Sequence, residues 1–393
     1  MKVLLVNTLY YPYKLGGAEK SVQALAENLV LSGLEVAVIT LGEETKYFEL
    51  NGVSIWSLQL QNKYWPFSGN RKSKVDKLIW HLKDLKNKDY TKDIIKIINS
   101  FKPNLIHTNN LSGFSINVWS IAKKLKIKVI HTLRDYYLQC PSVTKFKNNK
   151  VCINRCNDCY CLSIIKKKVS RDVDCVVGIS DFILKDHMEE GYFLDSQKEV
   201  IYNGFRIDIN EKTKEITQRK NKIVFGFIGQ IIASKGIELL LESFNNLSEF
   251  DNWSLVIAGR INDDYKKQLF EICSSDKIEF LGYIDNDLFY ENIDVLVVPS
   301  LWNEPFGRVV LEGVIRGKVV LGSDTGGIPE LLKNNRNFIF KPTPKELTTV
   351  LTSLLNNPKK LDTFKLDYSF LSQFNIQKTI LSYKTLYTNI MEK

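Results

Sequence analysis

No uninterrupted apolar segment of the sequence approaches the roughly 20 residues a helix needs to cross a bilayer. The first apolar run, in MKVLLVNTLYYPYKLGG, stops at Val6, which is too short for the core of a secretory signal, and no small-residue cleavage site follows. The expected compartment is therefore the cytoplasm. Also missing is a paired Cys-x2-Cys…Cys-x2-Cys. The seven cysteines put five of their number, Cys140, Cys152, Cys156, Cys159 and Cys161, into one loop over residues 140–161. Four thiolates there could hold a structural zinc, but the irregular spacing makes unliganded thiols the simpler expectation, and a reducing compartment argues against permanent disulfides. No aromatic-basic repeat or recognition helix is apparent, which weighs against nucleic acid as a partner.

The chain has 393 residues, 44% hydrophobic and 25% charged, enough for two well-packed domains. A net charge of +10 and a pI near 9.0 favour an anionic partner. Much of the basic excess lies over residues 71–102, where Leu78, Ile79, Trp80 and Leu82 share the segment with lysines. That mixture suits either a solvated helix face or a reversible contact with an anionic membrane surface.

KVLLVN from Lys2 reads as a buried strand, YYPYKLGG as a loop, residues 18–32 as a helix ended by Gly33, and EVAVIT as a second strand. Val22, Leu25, Ala26, Leu29 and Val30 share the helix face that packs on a sheet. This is a βαβ unit. The pattern returns from Lys222 in KIVFGFIG, the loop QIIASKG, a helix carrying Ile237, Leu240, Leu241 and Phe244, and the strand SLVIAG. The expected domains are 1–209 and 210–375, linked through the polar residues 210–221. A last helix over 376–393, apolar at Ile380, Leu381, Tyr383 and Leu386, could pack back on the first domain.

Between the strands IDVLVVPS and KVVLGS lies PSLWNEPFGRVVLEGV, residues 299–314. Pro305 suits a first helical position and Gly317 a left-handed cap, which places Glu304 at the helix N-cap, beyond a strand's carboxyl end. Open α/β sheets take ligands there, and the N–H groups of Phe306, Gly307 and Arg308 at the positive helix end would suit a diphosphate. Gly307 would let the backbone approach closely. Glu312, eight residues on, would lie about 12 Å along the axis on nearly the same side. The bland alternative is a cap and a salt-bridged surface charge.

Glu304-Pro-Phe-Gly…Glu312 resembles the Glu-X7-Glu motif of the retaining glycosyltransferases of family 4. Other stretches similar to that family are spread over most of the chain: GGAE, PNLIHTNN, HTLRDYYLQCP, VVGIS, VIYNGFRID, IGQIIASKG, FLGYI and TGGIPELL. The resemblance implies a GT-B α/β fold, two Rossmann-like domains facing each other across a cleft, and transfer of a sugar from a nucleotide-diphosphate sugar with retained configuration. It implies Glu304 on the donor sugar, Glu312 on the ribose, and Lys235 with the Gly16 and Gly17 amides on the diphosphate. Tyr283 and Ile284 would lie by the base and His107 on the acceptor side. Two departures stand out. Gln230 replaces the family's phosphate-binding Arg, losing a charge and its fork, and Arg134-Asp135 stands where many members have His-Asp, so a cation could face the transferred sugar. The implied acceptor belongs to the cell envelope or a polysaccharide and is lipid-linked, with the enzyme peripheral on the inner membrane face. No catalytic metal is expected, because the Asp-X-Asp strings Asp172-Val-Asp174 and Asp285-Asn-Asp287 read as a strand flank and a helix start.

Overall fold

Short β-branched runs with little alternation make strands buried on both faces, and the amphipathic stretches between them make the covering helices. The computed structural model describes residues 1–13, 16–66, 72–207, 222–273 and 275–393. It forms two compact units, one of Met1–Lys145, Ile153–Arg206 and Ser372–Lys393, the other of Phe146–Cys152 and Ile207–Leu371. The linker expected over 210–221 lies outside the described residues.

The first unit runs β1 (Lys2–Val6), α1 (Gly17–Leu31), β2 (Glu35–Gly42), β3 (Lys46–Leu50), β4 (Val53–Gln59), α2 (Lys74–Leu85), α3 (Thr91–Phe101), β5 (Leu105–Thr108), α4 (Asn117–Lys124) and β6 (Lys128–Leu133). A hairpin of β7 (Phe146–Lys147) and β8 (Lys150–Val151), which groups with the second unit, precedes α5 (Asn157–Val169), β9 (Cys175–Gly178), α6 (Asp181–Glu189) and β10 (Gln197–Val200). Its sheet has the order β10-β9-β6-β5-β1-β2-β4-β3, parallel except for β3 on β4. That hairpin turns at Asn51-Gly52, both with positive φ, as tight turns require.

The second unit runs β11 (Ile223–Ile228), α7 (Ile237–Asn245), β12 (Trp253–Ala258), α8 (Asp263–Ile272), β13 (Ile278–Gly282), α9 (Asn286–Glu291), β14 (Val295–Val298), α10 (Arg308–Ile315), β15 (Val319–Ser323), α11 (Ile328–Leu331), β16 (Ile339–Phe340) and α12 (Pro344–Asn356). Its six strands are all parallel, in the order β13-β12-β11-β14-β15-β16. The chain winds outward from β11 in one direction and from β14 in the other.

After α13 (Tyr368–Ser372), α14 (Ile376–Met391) belongs to the first unit. Ile376, Ile380, Tyr383, Leu386, Tyr387 and Ile390 enter the core formed by Val3, Leu5, Val22, Leu25 and Val36. Leu381, expected on the apolar face, points to solvent instead, because Tyr387 and Ile390 extend the buried stripe along its other edge. Tyr387 Oη lies 2.7 Å from His107 Nδ1, whose Nε2 lies 2.7 Å from Thr132 Oγ1. Tyr383 Oη meets the same threonine at 3.0 Å.

All four histidines of the chain lie in this unit, and burial is the main force lowering their pKa values: to about 3 for His131, to about 4 for His81 and His187, and well below the usual value for His107. Burial raises the Asp84 and Asp135 carboxyls to about 7 and about 6. Unfolding near pH 5 therefore charges the histidines while the two carboxyls release protons, leaving about two protons taken up. Stability contributed by the neutral histidines should be lost as pH falls from about 6.5 towards 4. The melting temperature should drop over that range, and a rise would show that the histidines are already charged in the folded protein. Tyr387→Phe removes the partner of His107 Nδ1 and should cost about 1–3 kcal/mol in urea unfolding, whereas an unchanged midpoint would mean the contact contributes nothing.

Candidate functional site

The second sheet changes winding direction between β11 and β14, and the carboxyl ends of strands at such a point are where open α/β sheets take ligands. The loop after β11 makes a short turn at Ala233–Lys235, and the loop after β14 runs through Glu304. The Ser234 carbonyl ties them together, accepting the N–H groups of Leu301 at 2.9 Å and Trp302 at 3.3 Å. Gly236, with φ of +75°, allows this closeness: a Cβ there would lie 1.8 Å from the Pro299 carbonyl oxygen. From the other side, the loop after β15 holds the backbone of Glu304. The Gly327 N–H donates to the Glu304 carbonyl at 2.8 Å, and a Cβ on Gly326 (φ +58°) would come within 2.2 Å of that oxygen.

These loops bring Lys235 Nζ to 2.5 Å from Glu304 Oε1, which also accepts from Ser300 Oγ at 2.8 Å. Glu304 is 9% exposed, and the lysine ammonium lies 5.0 Å from the centre of the Trp302 ring. Ser300, Trp302 and the Gly326-Gly327 pair are the residues around this ion pair that spacing arguments missed. The TGGIPELL stretch carried the signal for the glycines, but not what they hold.

Glu304 is not a helix cap. α10 begins at Arg308 with Gly307 as its N-cap, in the left-handed region at φ +91°. Pro305 and Phe306 therefore belong to the loop, because a left-handed residue ends any helix attempted across it. The helical geometry relating Glu304 to Glu312 lapses with this change. Glu312 lies in α10, mostly buried, and accepts from Arg308 Nε at 2.8 Å. Gly317, with φ of +71°, follows the helix end as expected. Gln230 is exposed after β11. Tyr283 is exposed beyond β13 with the Arg260 guanidinium 5.2 Å from its ring centre, and Ile284 is half-buried beside it.

In the first unit, Gly16 is the N-cap of α1 and its N–H donates to Glu19 Oε2 at 3.0 Å, while Gly17 is the first helical residue. Arg134, buried beyond β6, donates from Nε to Asn109 Oδ1 at 2.8 Å and from Nη1 to Asn203 Oδ1 at 2.6 Å. Two neutral amides thus take part in orienting the guanidinium. Asp135 accepts the Tyr137 N–H at 2.9 Å. His107 corrects an expectation: its side chain has no exposed surface and both ring nitrogens bond within the core, so it offers an acceptor nothing.

Both Asp-X-Asp strings have structural partners. Asp172 pairs with Lys123, and Asp174 pairs with Lys128 at 3.3 Å and accepts the Val129 N–H at 2.8 Å. Asp285 caps α9, and Asp287 pairs with Arg316 at 2.6 Å. The cysteines of residues 140–161 are free thiols. Among the described residues no three of His, Cys, Asp or Glu come together to hold a metal, so the zinc-clipped loop finds no support in this geometry.

Residues 15–209 match the family model described as Glycosyltransferase Family 4, and residues 208–366 that of Glycosyl transferases group 1. An uncharacterised 42.6 kDa protein in the cps region of Klebsiella pneumoniae is 38% identical over 370 residues, 94% of this chain and 97% of that protein. The fold is similar to sucrose-phosphate synthase from Thermosynechococcus elongatus, with a TM-score of 0.74, 18% identity, and 100% and 99% of the two chains covered. It is also similar to Anabaena HepE in complex with UDP, with a TM-score of 0.73, 17% identity, and 99% and 100% covered. Two family models that together run almost the length of the chain, with a relative matched nearly end to end, make this protein a glycosyltransferase of the group 1/family 4 kind, with the GT-B fold.

Proposed function

We propose that the protein transfers a sugar, with retention of configuration, from a nucleotide-diphosphate sugar to a lipid-linked acceptor of the cell envelope or of a polysaccharide. It would act as a peripheral protein on the inner face of the membrane. The observation that carries the donor half is the Lys235–Glu304 pair, fixed where the second sheet changes direction. A diphosphate arriving there would draw the Lys235 ammonium away from Glu304 and leave that carboxylate to accept sugar hydroxyls. The N–H groups of Phe306, Gly307 and Arg308, at the start of α10, would meet the same phosphates at the positive helix end. The Gly16 and Gly17 amides and Gln230 are assigned to the diphosphate as well, Tyr283 and Ile284 to the base, and Glu312 to the ribose. Arg134 and Asp135 are assigned to the reacting sugar.

UDP in the HepE complex supports a nucleotide donor, and the cps-region relative supports a polysaccharide acceptor. A leaving diphosphate met by an ammonium and a helix N-terminus needs no metal for its charge, so the reaction is assigned to a metal-independent mechanism.

Glu304→Gln and Glu312→Gln should fail differently. Glu312→Gln should weaken nucleotide diphosphate and nucleotide-sugar alike by roughly 1.5–3 kcal/mol, or about 10- to 150-fold, the range for a lost charged hydrogen bond. Glu304→Gln should leave nucleotide diphosphate affinity unchanged or raised, because it releases Lys235, and should lower turnover, since contacts that tighten as the sugar becomes cationic act mainly in the transition state. Calorimetry beside steady-state kinetics checks both. Equal weakening by the two variants, or full turnover by Glu304→Gln, would overturn the assignment. Turnover should also survive EDTA, and loss that added Mg²⁺ or Mn²⁺ restores would remove the metal-independent part. Product analysis that found free sugar or an epimer would replace transfer with hydrolysis or epimerisation.

A further inference from the structure

Within the first unit, α2 presents an unusual face. Val75, Leu78, Ile79 and Leu82 are 65%, 53%, 41% and 53% exposed. Their spacing of i, i+3, i+4 and i+7 is that of a stripe meant to be covered, yet it points away from the core. The opposite face of the helix does the packing: Trp80 is buried with its Nε1 donating to the Tyr64 carbonyl at 3.1 Å, and Asp84 is buried with Oδ1 accepting the Gly113 N–H at 2.7 Å. The tryptophan that made residues 71–102 look suited to a membrane is thus an internal anchor. At about 100° per residue, Lys74 and Lys83 fall on either side of the exposed stripe. Lys83 pairs with the exposed Asp89 at 2.7 Å, and the acidic residue of the first turn, Asp76, is engaged by Lys63 at 2.6 Å and Ser73 at 2.7 Å.

Helix α5 packs beside α2. α5 buries Cys159, Ser163 and Lys166 and leaves Tyr160, Ile164 and Ile165 exposed, with Lys167 and Lys168 following in its last turn. Two neighbouring helices, far apart in sequence, therefore both show apolar side chains with lysines beside them, on a chain of net charge +10. Exposed apolar residues gathered in this way mark an interaction site, and flanking lysines that can extend towards phosphate select a surface that is apolar within and anionic at its face.

We propose that α2 and α5 form a docking surface for anionic lipid, the stripe of Val75, Leu78, Ile79 and Leu82 entering the headgroup boundary beside Tyr160 and Ile164 while the lysines meet lipid phosphates. The surface deepens the lipid-linked part of the proposed function but rests on these exposed faces alone. It is tested with the full chain by co-sedimentation with vesicles of phosphatidylcholine alone or with added phosphatidylglycerol. The chain should bind the anionic vesicles, release as salt rises past physiological strength, and bind neutral vesicles weakly. Leu78→Glu/Leu82→Glu and, separately, Ile164→Glu replace exposed side chains, so melting temperature and UDP calorimetry should match those of the unaltered protein. The partition to anionic vesicles should fall by at least about tenfold. Binding that both variants retain, or equal binding to neutral vesicles, would overturn the proposal. So would absence of vesicle binding alongside a dimer that the glutamates dissolve, which would make the face a self-association surface. A chain that binds vesicles but not UDP would count against the donor site and leave the docking surface standing.

Discussion

An ammonium and a carboxylate 69 residues apart in the chain, Lys235 and Glu304, lie 2.5 Å apart, and the loops after β11, β14 and β15 converge on that contact. Neither group could be left alone in so sheltered a place, because a partly buried charge without a partner costs several kcal/mol. Their meeting requires two loops at van der Waals limits, which is why Gly236 faces the Pro299 carbonyl and Gly326 faces the Glu304 backbone with no room for a side chain. In the proposed donor site an incoming phosphate would take over the lysine, while Ser300, whose Oγ donates to Glu304 Oε1, would go on supporting the carboxylate.

The first unit treats its own cation differently. Arg134 is oriented by amide oxygens of Asn109 and Asn203, which arrive from the loops after β5 and β10. These amides help to direct the guanidinium, and its charge is felt inside the unit, where it adds to burial in depressing His107 and His131. Behind it, α14 places Tyr383 and Tyr387 against the same histidine, so the last helix of the chain completes the polar interior of the first sheet. A histidine locked by two hydrogen bonds can support this core. It cannot also reach a ligand.

Beneath the exposed faces of α2 and α5, burial shifts a carboxyl and an ammonium towards each other in pKa. Asp84 on α2 is raised to about 7 and Lys166 on α5 is lowered to about 8, burial being the first cause for each, and Lys166 Nζ donates to the Tyr137 carbonyl at 3.0 Å. Tyr137 Oη in turn donates to the Asp84 carbonyl at 3.2 Å, so the two helices are bridged through Tyr137 on the inside while their apolar side chains stand outside, the reverse of an ordinary surface helix.

The α/β class, the two repeated units and the identity of the strands were legible in the residues, because β1, β11, β14 and β15 are short apolar runs closed by glycine or polar loops, and periodicity is a local property. Glu304 and Glu312 stood out because carboxylates in an otherwise apolar run need a reason to be there, and Lys235 was indicated only by the family resemblance. The partner of each charge was not legible. The spacing of Glu304, Pro305 and Gly317 argued for a longer helix, but the left-handed Gly307 starts it only at Arg308, and the Glu304 backbone is spent on the loop contact with Gly326 and Gly327. His107 and Trp80 were decided by what a distant segment laid over each, α14 and the chain at Tyr64, whereas Leu381, expected in the core, is left in solvent because α14 turns its other edge inward. Sequence determines which segments must hide a face and where charge requires a partner. Which face is hidden, and which partner arrives, depends on contacts between residues tens to hundreds apart, and these exist only once the chain has folded.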